Sequence, residues 1–270
     1  MPLPMDYHSH HRRCGHAVGE MDDYLRAAVE RGLTHFGVSD HGPAWWFPTD
    51  HELPGTQMAK SEFAGYVREA HEMKARFANR IQVSVGVEAD WIDGRGEELR
   101  ALLDSQPLDY LLGSVHYAAG ASIFKRSRWA TDKTEDVYAD YYRLVADAAR
   151  SGLFDILSHL TAVEAYAPER ESARQFYPAV ADAVAEGGCL VEINTSGYRK
   201  MGDDDPFPNR AMLKLLIERG VGLTFGSDCH KPEEVAFGSE RVEALLGELG
   251  VKPGVQLSTV RRCPLLSFHP

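Results

Sequence analysis

Short apolar runs alternate with longer amphipathic segments from one end of the chain to the other. The short runs are rich in Val, Ile, Leu and Phe, whereas the longer segments repeat apolar residues at helical spacing. Seven short runs are predicted strands: MDYHSH (5–10), HFGVSDH (35–41), IQVSVGVEAD (81–90), LDYLLGSVHY (108–117), FDILSHL (154–160), CLVEINTSG (189–197) and VGLTFGSDCH (221–230). This alternation predicts a parallel α/β sheet with covering helices.

Predicted helices separate these strands, and several end at a glycine, as helices often do. The clearest ones cover residues 19–32, 60–80, 134–152 and 209–220, and residues 42–55 form a long predicted loop. No repeat, low-complexity tract or linker divides the chain. The sequence therefore predicts one closed or nearly closed α/β barrel over residues 1–270.

Potential metal ligands lie at six of the seven predicted strand ends, and the seventh strand ends at the amide of Asn194. The carboxyl ends of parallel strands open on one face of an α/β barrel, where catalytic residues gather. A single histidine there is ordinarily a hydrogen-bonded boundary residue, but seven together indicate a site. The candidates are His8, His10 and His16, Asp40 with His41, Glu88, His116, His159, and Asp228 with His230.

The spacing of these residues indicates how ions are shared. Residues two apart on a strand point to the same face, so His8 and His10 can bind one ion. Asp228 and His230 likewise point to the same face, where each of them can bind a different ion. Imidazole and carboxylate ligands without thiolate favour zinc, iron or manganese in a catalytic role.

Composition limits the kinds of partner that the protein is expected to bind. The chain has 29 Lys and Arg against 40 Asp and Glu, and its formal charge of −11 disfavours binding to long nucleic acids. The four cysteines form no Cys-x-x-Cys pair. Cys14 and Cys229 flank the potential ligands in sequence, and we expect both to be packing residues instead of metal ligands. We expect a cytoplasmic protein, because the scattered cysteines favour a reducing compartment and no signal peptide or membrane span is evident. The sequence does not predict an oligomeric state.

The motifs HSH, SDH, GVE, GSVH, LSH and GSDCH, in that order over residues 8–230, resemble those of the polymerase and histidinol phosphatase (PHP) superfamily. CGHA (14–17) and INTSGYRK (193–200) are similar to the branch of monofunctional L-histidinol-phosphate phosphatases. The resemblance implies a distorted (β/α)7 TIM-like barrel with three divalent ions, Zn, Fe or Mn. The implied ligand sets are His8, His10, Glu88 and Asp228 for the first ion, Glu88, His116 and His159 for the second, and His16, His41 and His230 for the third.

The resemblance further implies a phosphatase acting on a small phosphate monoester, above all L-histidinol phosphate, in histidine biosynthesis. His8, His10, Glu88 and Asp228 are the implied catalytic residues, since the ions they hold would present a metal-bound hydroxide to phosphorus. Three divalent ions bring about six positive charges, and two carboxylates cancel only part of that charge. An anionic substrate is therefore compatible with an acidic protein.

Three further residues are candidates for binding the substrate. Arg199 is the candidate phosphate clamp, because a guanidinium matches two phosphate oxygens, and a solvated loop arginine is the alternative. Trp45 and Trp46 are candidates for stacking on an imidazole, although they equally suit a role as buried loop anchors. Asp40 is expected to orient a histidine ligand.

Other functions stay open at this point. A PHP phosphoesterase acting on nucleotides or DNA ends and a non-catalytic PHP module are the main alternatives. An amidohydrolase also begins with His-x-His, but that family generally needs a lysine on the fourth strand, and residues 108–117 contain none. The sequence does not decide whether Arg12 and Arg13 contact substrate.

Overall fold

The seven predicted strands form one parallel sheet in the computed structural model, which describes residues 3–202, 205–251 and 258–259. In chain order the strands are β1 (Met5–Asp6), β2 (His35–Val38), β3 (Gln82–Asp90), β4 (Tyr110–Ser114), β5 (Tyr117–Ala118), β6 (Ala121–Ser122), β7 (Ile156–Leu157), β8 (Leu190–Asn194) and β9 (Leu223–Gly226). The strands of the parallel sheet pair in the order β1-β2-β3-β4-β7-β8-β9. The two further strands, β5 and β6, form a small antiparallel hairpin that was not predicted.

Backbone hydrogen bonds link the first and last strands of the sheet. Tyr7 N donates to Phe225 O at 3.0 Å, and His10 N donates to Cys229 O at 2.9 Å. These bonds curl the sheet into a nearly closed barrel, which leaves few free strand edges. The predicted (β/α)7 barrel is confirmed.

Helices cover the outside of the barrel. The four clearest predicted helices are present, and each is shorter than its predicted range. Among the described residues, no helix is both long enough and apolar enough to cross a bilayer. The helices are α1 (Met21–Glu30), α2 (Phe63–Phe77), α3 (Gly96–Asp104), α4 (Thr134–Arg150), α5 (Tyr177–Gly187), α6 (Ser196–Lys200), α7 (Arg210–Glu218) and α8 (Ser239–Glu248).

Several strands end earlier than predicted. The run 189–197 leaves the sheet at Asn194 because the side-chain Oδ1 of Asn194 accepts a hydrogen bond from Ser196 N at 2.9 Å and turns the chain into α6. His116 and His159 likewise follow β4 and β7 by two residues instead of lying within them. Glu88 lies within β3, and the other potential ligands project from the short segments just beyond the strands.

A tyrosine fills the barrel beneath these ends. Gly37 and Gly86 leave room for Tyr110, since a Cβ atom at either glycine would lie 2.2 or 2.3 Å from Tyr110 atoms. The Tyr110 hydroxyl donates to Tyr7 O at 2.6 Å, so it also ties β4 to the first strand. The interior of the barrel is therefore packed beneath its mouth, the end at which α/β barrels carry their chemistry.

Candidate metal centre

Glu88 lies among five imidazoles at the carboxyl end of the barrel, those of His8, His10, His41, His116 and His159. Its Oε2 is 2.7 Å from His41 Nδ1 and 3.5 Å from His8 Nε2. Its Oε1 is 3.0 Å from His159 Nε2 and 3.5 Å from His116 Nε2. One carboxylate thus faces ligand atoms of several predicted ion sites.

The first predicted ligand set converges closely. His10 Nε2 lies 3.1 Å from Asp228 Oδ1 and 3.6 Å from Glu88 Oε2, and His8 Nε2 lies 3.8 Å from the same Asp228 oxygen. Nε2 of both histidines and Oε2 of Glu88 are buried, and despite these short distances none of the three atoms makes a hydrogen bond of good geometry to a described residue. Buried polar atoms without a partner are costly, and a divalent cation between them would satisfy all three. The residues therefore fit a metal ion.

Two pairs of imidazole nitrogens face each other around this set. His16 Nε2 lies 2.9 Å from His230 Nε2, and His116 Nε2 lies 3.2 Å from His159 Nε2. The ring of His10 stacks on His230, with centroids 4.3 Å apart. The structure therefore brings all nine predicted ligands together. Their division among three ions stays a prediction.

Buried carboxylates hold the rings from behind, so that each ring keeps Nε2 for an ion. This arrangement involves Asp40, as expected, and two residues that were not predicted. The carboxylate-to-Nδ1 distances are 2.9 Å for Glu192 and His8, 3.0 Å for Asp90 and His116, and 3.3 Å for Asp40 and His10. Glu192 could have been found as the one charge in the apolar run CLVEIN, and Asp90 by its two-residue spacing from Glu88.

The charges of the cluster favour a cation. Burial by itself raises the pKa of Glu88, but the rings of His41, His8 and His116 more than offset it and hold that pKa well below its usual range. Burial lowers the pKa of His41 to about 4, so this ring is neutral, as a metal ligand must be. Burial opposes protonation of His116, but Asp90 and Glu88 raise its pKa to about 9. A divalent ion bound by Glu88 and by Nε2 of His116 would displace that proton.

Two of the predicted ligands have strained backbone. His159 has φ 26° and Asp228 has φ 53°, in the left-handed region that side-chain-bearing residues rarely adopt. Such strain concentrates at functional sites, where the surrounding structure must maintain it. Arg199 Nη2 donates to the carbonyl oxygens of Ser227 at 3.1 Å and Asp228 at 2.9 Å, which supports this part of the chain.

A cavity of about 400 Å³ opens above the cluster, a size suited to a small ligand. Besides seven predicted ligands, its wall contains six residues that were not predicted to bind substrate: Thr56, Gln57, Tyr117, Ser122, Phe124 and Lys200. Lys200 is adjacent to the predicted clamp in the INTSGYRK motif, and this adjacency was the available signal.

The structure does not bring the three predicted substrate-binding residues into this wall. Trp45 is buried and its Nε1 donates to Asp90 O at 3.3 Å, while Trp46 packs edge-on against Tyr117 at 5.5 Å. Trp46 therefore contacts a residue of the wall, and Trp45 packs edge-on against Trp46 at 5.8 Å. The stacking role of the tryptophans and the clamp role of Arg199 stay predictions.

The remaining polar residues near the first histidines are engaged elsewhere. Arg12 pairs with Glu20 at 2.6 Å, and Arg13 pairs with Glu69 at 2.5 Å. Cys14 is buried, and burial raises the pKa of its thiol. Neither arginine contributes to the cavity wall.

Comparisons with known proteins agree with this geometry. A family model described as "PHP domain" matches residues 6–196. A Deinococcus radiodurans protein named "Probable histidinol-phosphatase" is 34% identical over 237 residues, 86% of this chain and 88% of that protein. The "Histidinol-phosphatase" of Bacillus subtilis is 25% identical over 87% of this chain and 96% of that protein.

A solved structure shares the fold. It is the histidinol phosphate phosphatase of Lactococcus lactis complexed with zinc, L-histidinol and phosphate. The two structures superpose with a TM-score of 0.79 over 96% of this chain and 97% of the other, at 19% sequence identity.

Proposed function

Because the chain belongs to the PHP domain family, we propose that it is a metal-dependent phosphatase that hydrolyses L-histidinol phosphate to L-histidinol and phosphate. The predicted resemblance to this family is confirmed. The observation that carries the proposal is the buried cluster of unpartnered Nε2 and carboxylate atoms at the mouth of the barrel. The name of the Deinococcus radiodurans relative supports the choice of L-histidinol phosphate as the substrate.

We propose three divalent ions, zinc, iron or manganese, held by the nine predicted ligands. When bound, such ions supply positive charge for the phosphoryl oxygens and activate water for attack on phosphorus. Their ligands are those of the three sets given above: His8, His10, His16, His41, Glu88, His116, His159, Asp228 and His230. We also propose the predicted single barrel domain over residues 1–270, of which residues 1–2, 203–204, 252–257 and 260–270 lie outside the described part of the chain.

The chain's own residues fix the geometry of the reaction. The carboxylates of Glu192, Asp90 and Asp40 keep the rings from rotating, so that little reorganisation is needed when substrate binds. The cavity wall carries Tyr117 and Phe124, whose rings can pack against the alcohol portion of a small substrate. A cavity of about 400 Å³ suits a monoester of this size.

A phosphate-release screen of the metal-loaded protein tests the proposal. The substrates are L-histidinol phosphate, mononucleotides, sugar phosphates and a short DNA duplex. We expect the highest specificity constant for L-histidinol phosphate. An equal or higher value for a nucleotide would assign the protein to another activity within the family, and no release from any substrate would indicate a non-catalytic module.

A further inference from the structure

Lys200 is the one lysine or arginine among the described residues that line the cavity. Its Nζ lies 3.2 Å from Asp228 Oδ2 and 4.9 Å from the centre of the Phe124 ring. The other oxygen of Asp228 lies 3.1 Å from His10 Nε2. The ammonium group is therefore one carboxylate away from the cluster that holds the ions in our proposal.

The neighbouring arginine is engaged elsewhere. Arg199 Nη2 donates to Ser227 O and Asp228 O, and its guanidinium lies 5.0 Å from the ring centre of Phe237. Successive residues of a helix point about 100° apart, so two adjacent side chains face different surroundings. Lys200 consequently reaches the cavity while Arg199 contacts the backbone around Asp228.

The short helix α6 holds Lys200 at a fixed position. Its start is fixed by the hydrogen bond from Ser196 N to Asn194 Oδ1. Gly197 packs so tightly that a Cβ atom there would lie 2.7 Å from the carbonyl carbon of Pro206. The ammonium group is therefore presented by a well-anchored element, as a binding group requires.

We propose that Lys200 is a substrate-binding residue that donates a charge-assisted hydrogen bond to a phosphoryl oxygen of the monoester and of the phosphate product. This inference rests on the proposed function. Apart from bound ions, the wall offers imidazoles and the acidic Glu88 and Asp228, so Lys200 is the cation that the described wall itself supplies. Because an ammonium repels the amine of histidinol and attracts phosphate, Lys200 also orients the phosphate end of the substrate toward its own side of the cavity.

The test compares Lys200→Met with the wild-type protein, both loaded with metal. Inorganic phosphate is the probe, and its inhibition constant is measured together with KM, kcat and the metal content per chain. Lys214→Met is the matched control, because it removes one lysine charge from the exposed surface of α7, where the side chain is 70% exposed. We expect Lys200→Met to raise the phosphate inhibition constant and KM by about tenfold or more with unchanged metal content, and Lys200→Arg to recover part of the loss.

Two results would overturn this inference. A phosphate inhibition constant within twofold of the wild-type value, at full metal content, would show that Lys200 does not contact phosphate. Loss of metal in Lys200→Met would show that the residue only holds Asp228. If the wild-type protein fails to hydrolyse histidinol phosphate, the proposed function fails instead, and direct calorimetric binding of inorganic phosphate still decides the role of Lys200.

Discussion

Glu192 lies directly behind His8, and both of its carboxylate oxygens are 2.9 Å from the ring's Nδ1. Oε1 also accepts hydrogen bonds from His159 N at 3.1 Å and from Asn194 Nδ2 at 2.6 Å. Gly226 admits this arrangement, since a Cβ atom there would lie 2.2 Å from Glu192 Oε2. One fully buried carboxylate therefore orients two predicted ligands that follow different strands, His8 after β1 and His159 after β7.

Replacing this carboxylate should weaken metal binding more than folding. We expect Glu192→Gln to lower metal affinity by about 10- to 100-fold, because the ring of His8 loses its charged partner. Competition with a chelator measures the affinity, and a melting curve of the metal-free protein measures stability. Glu186→Gln, at an exposed position paired with Arg150, is the matched control. Equal metal affinity of Glu192→Gln and wild type would contradict the prediction.

Glu88→Ala should remove more than one ion from the protein. Both oxygens of Glu88 face ligand atoms, Oε2 toward His8 and His41 and Oε1 toward His116 and His159. We therefore expect about three ions per chain in the wild-type protein, and the loss of two of them in the variant. Elemental analysis measures both values. A stoichiometry near one in fully active wild-type protein would exclude the three-ion assignment.

The sequence predicted which side chains meet at the mouth of the barrel, because parallel strands impose their geometry. Strand ends of a barrel meet on one face, so His8, Glu88 and His159 come together although they are far apart in the chain. The substrate wall could not be derived in this way. Trp45 lies in a loop whose path depends on contacts such as its hydrogen bond to Asp90 O, and α6 turns Lys200 rather than Arg199 into the cavity.

The variant Arg199→Ala distinguishes support of the Asp228 backbone from phosphate binding as the role of that side chain. In the structure it donates to Ser227 O and Asp228 O, and it thereby supports the strained backbone of Asp228. We expect the variant to retain less metal and to lose activity in proportion, because Asp228 is no longer held in its left-handed conformation. Metal content and kinetics are measured on the same sample. A raised KM at full metal content would instead identify Arg199 as a phosphate clamp.

Glu164 should make the protein less stable as pH rises. This carboxyl is buried beneath α4, α5 and α7, where it accepts hydrogen bonds from Tyr177 Oη at 2.6 Å and Asn209 Nδ2 at 3.0 Å. Burial raises its pKa to about 7, although these hydrogen bonds and Arg170 act in the opposite direction. The unfolded chain releases the same proton near pH 4.5. Between these values the folded protein binds more protons than the unfolded protein, so its stability falls as pH rises.

The size of this effect follows from the difference between the two pKa values. It amounts to a loss on the order of 3 kcal/mol between pH 4.5 and pH values above 7. Glu164→Gln cannot ionise, so we expect its free energy of unfolding to decline less over this window than that of the wild type. Denaturant unfolding at pH 5 and at pH 8 gives the change in the free energy of unfolding for each protein. Histidines titrate in both proteins and contribute equally, so the difference between the two changes isolates the contribution of Glu164. Parallel pH profiles would show that Glu164 has the same pKa in the folded and unfolded chains.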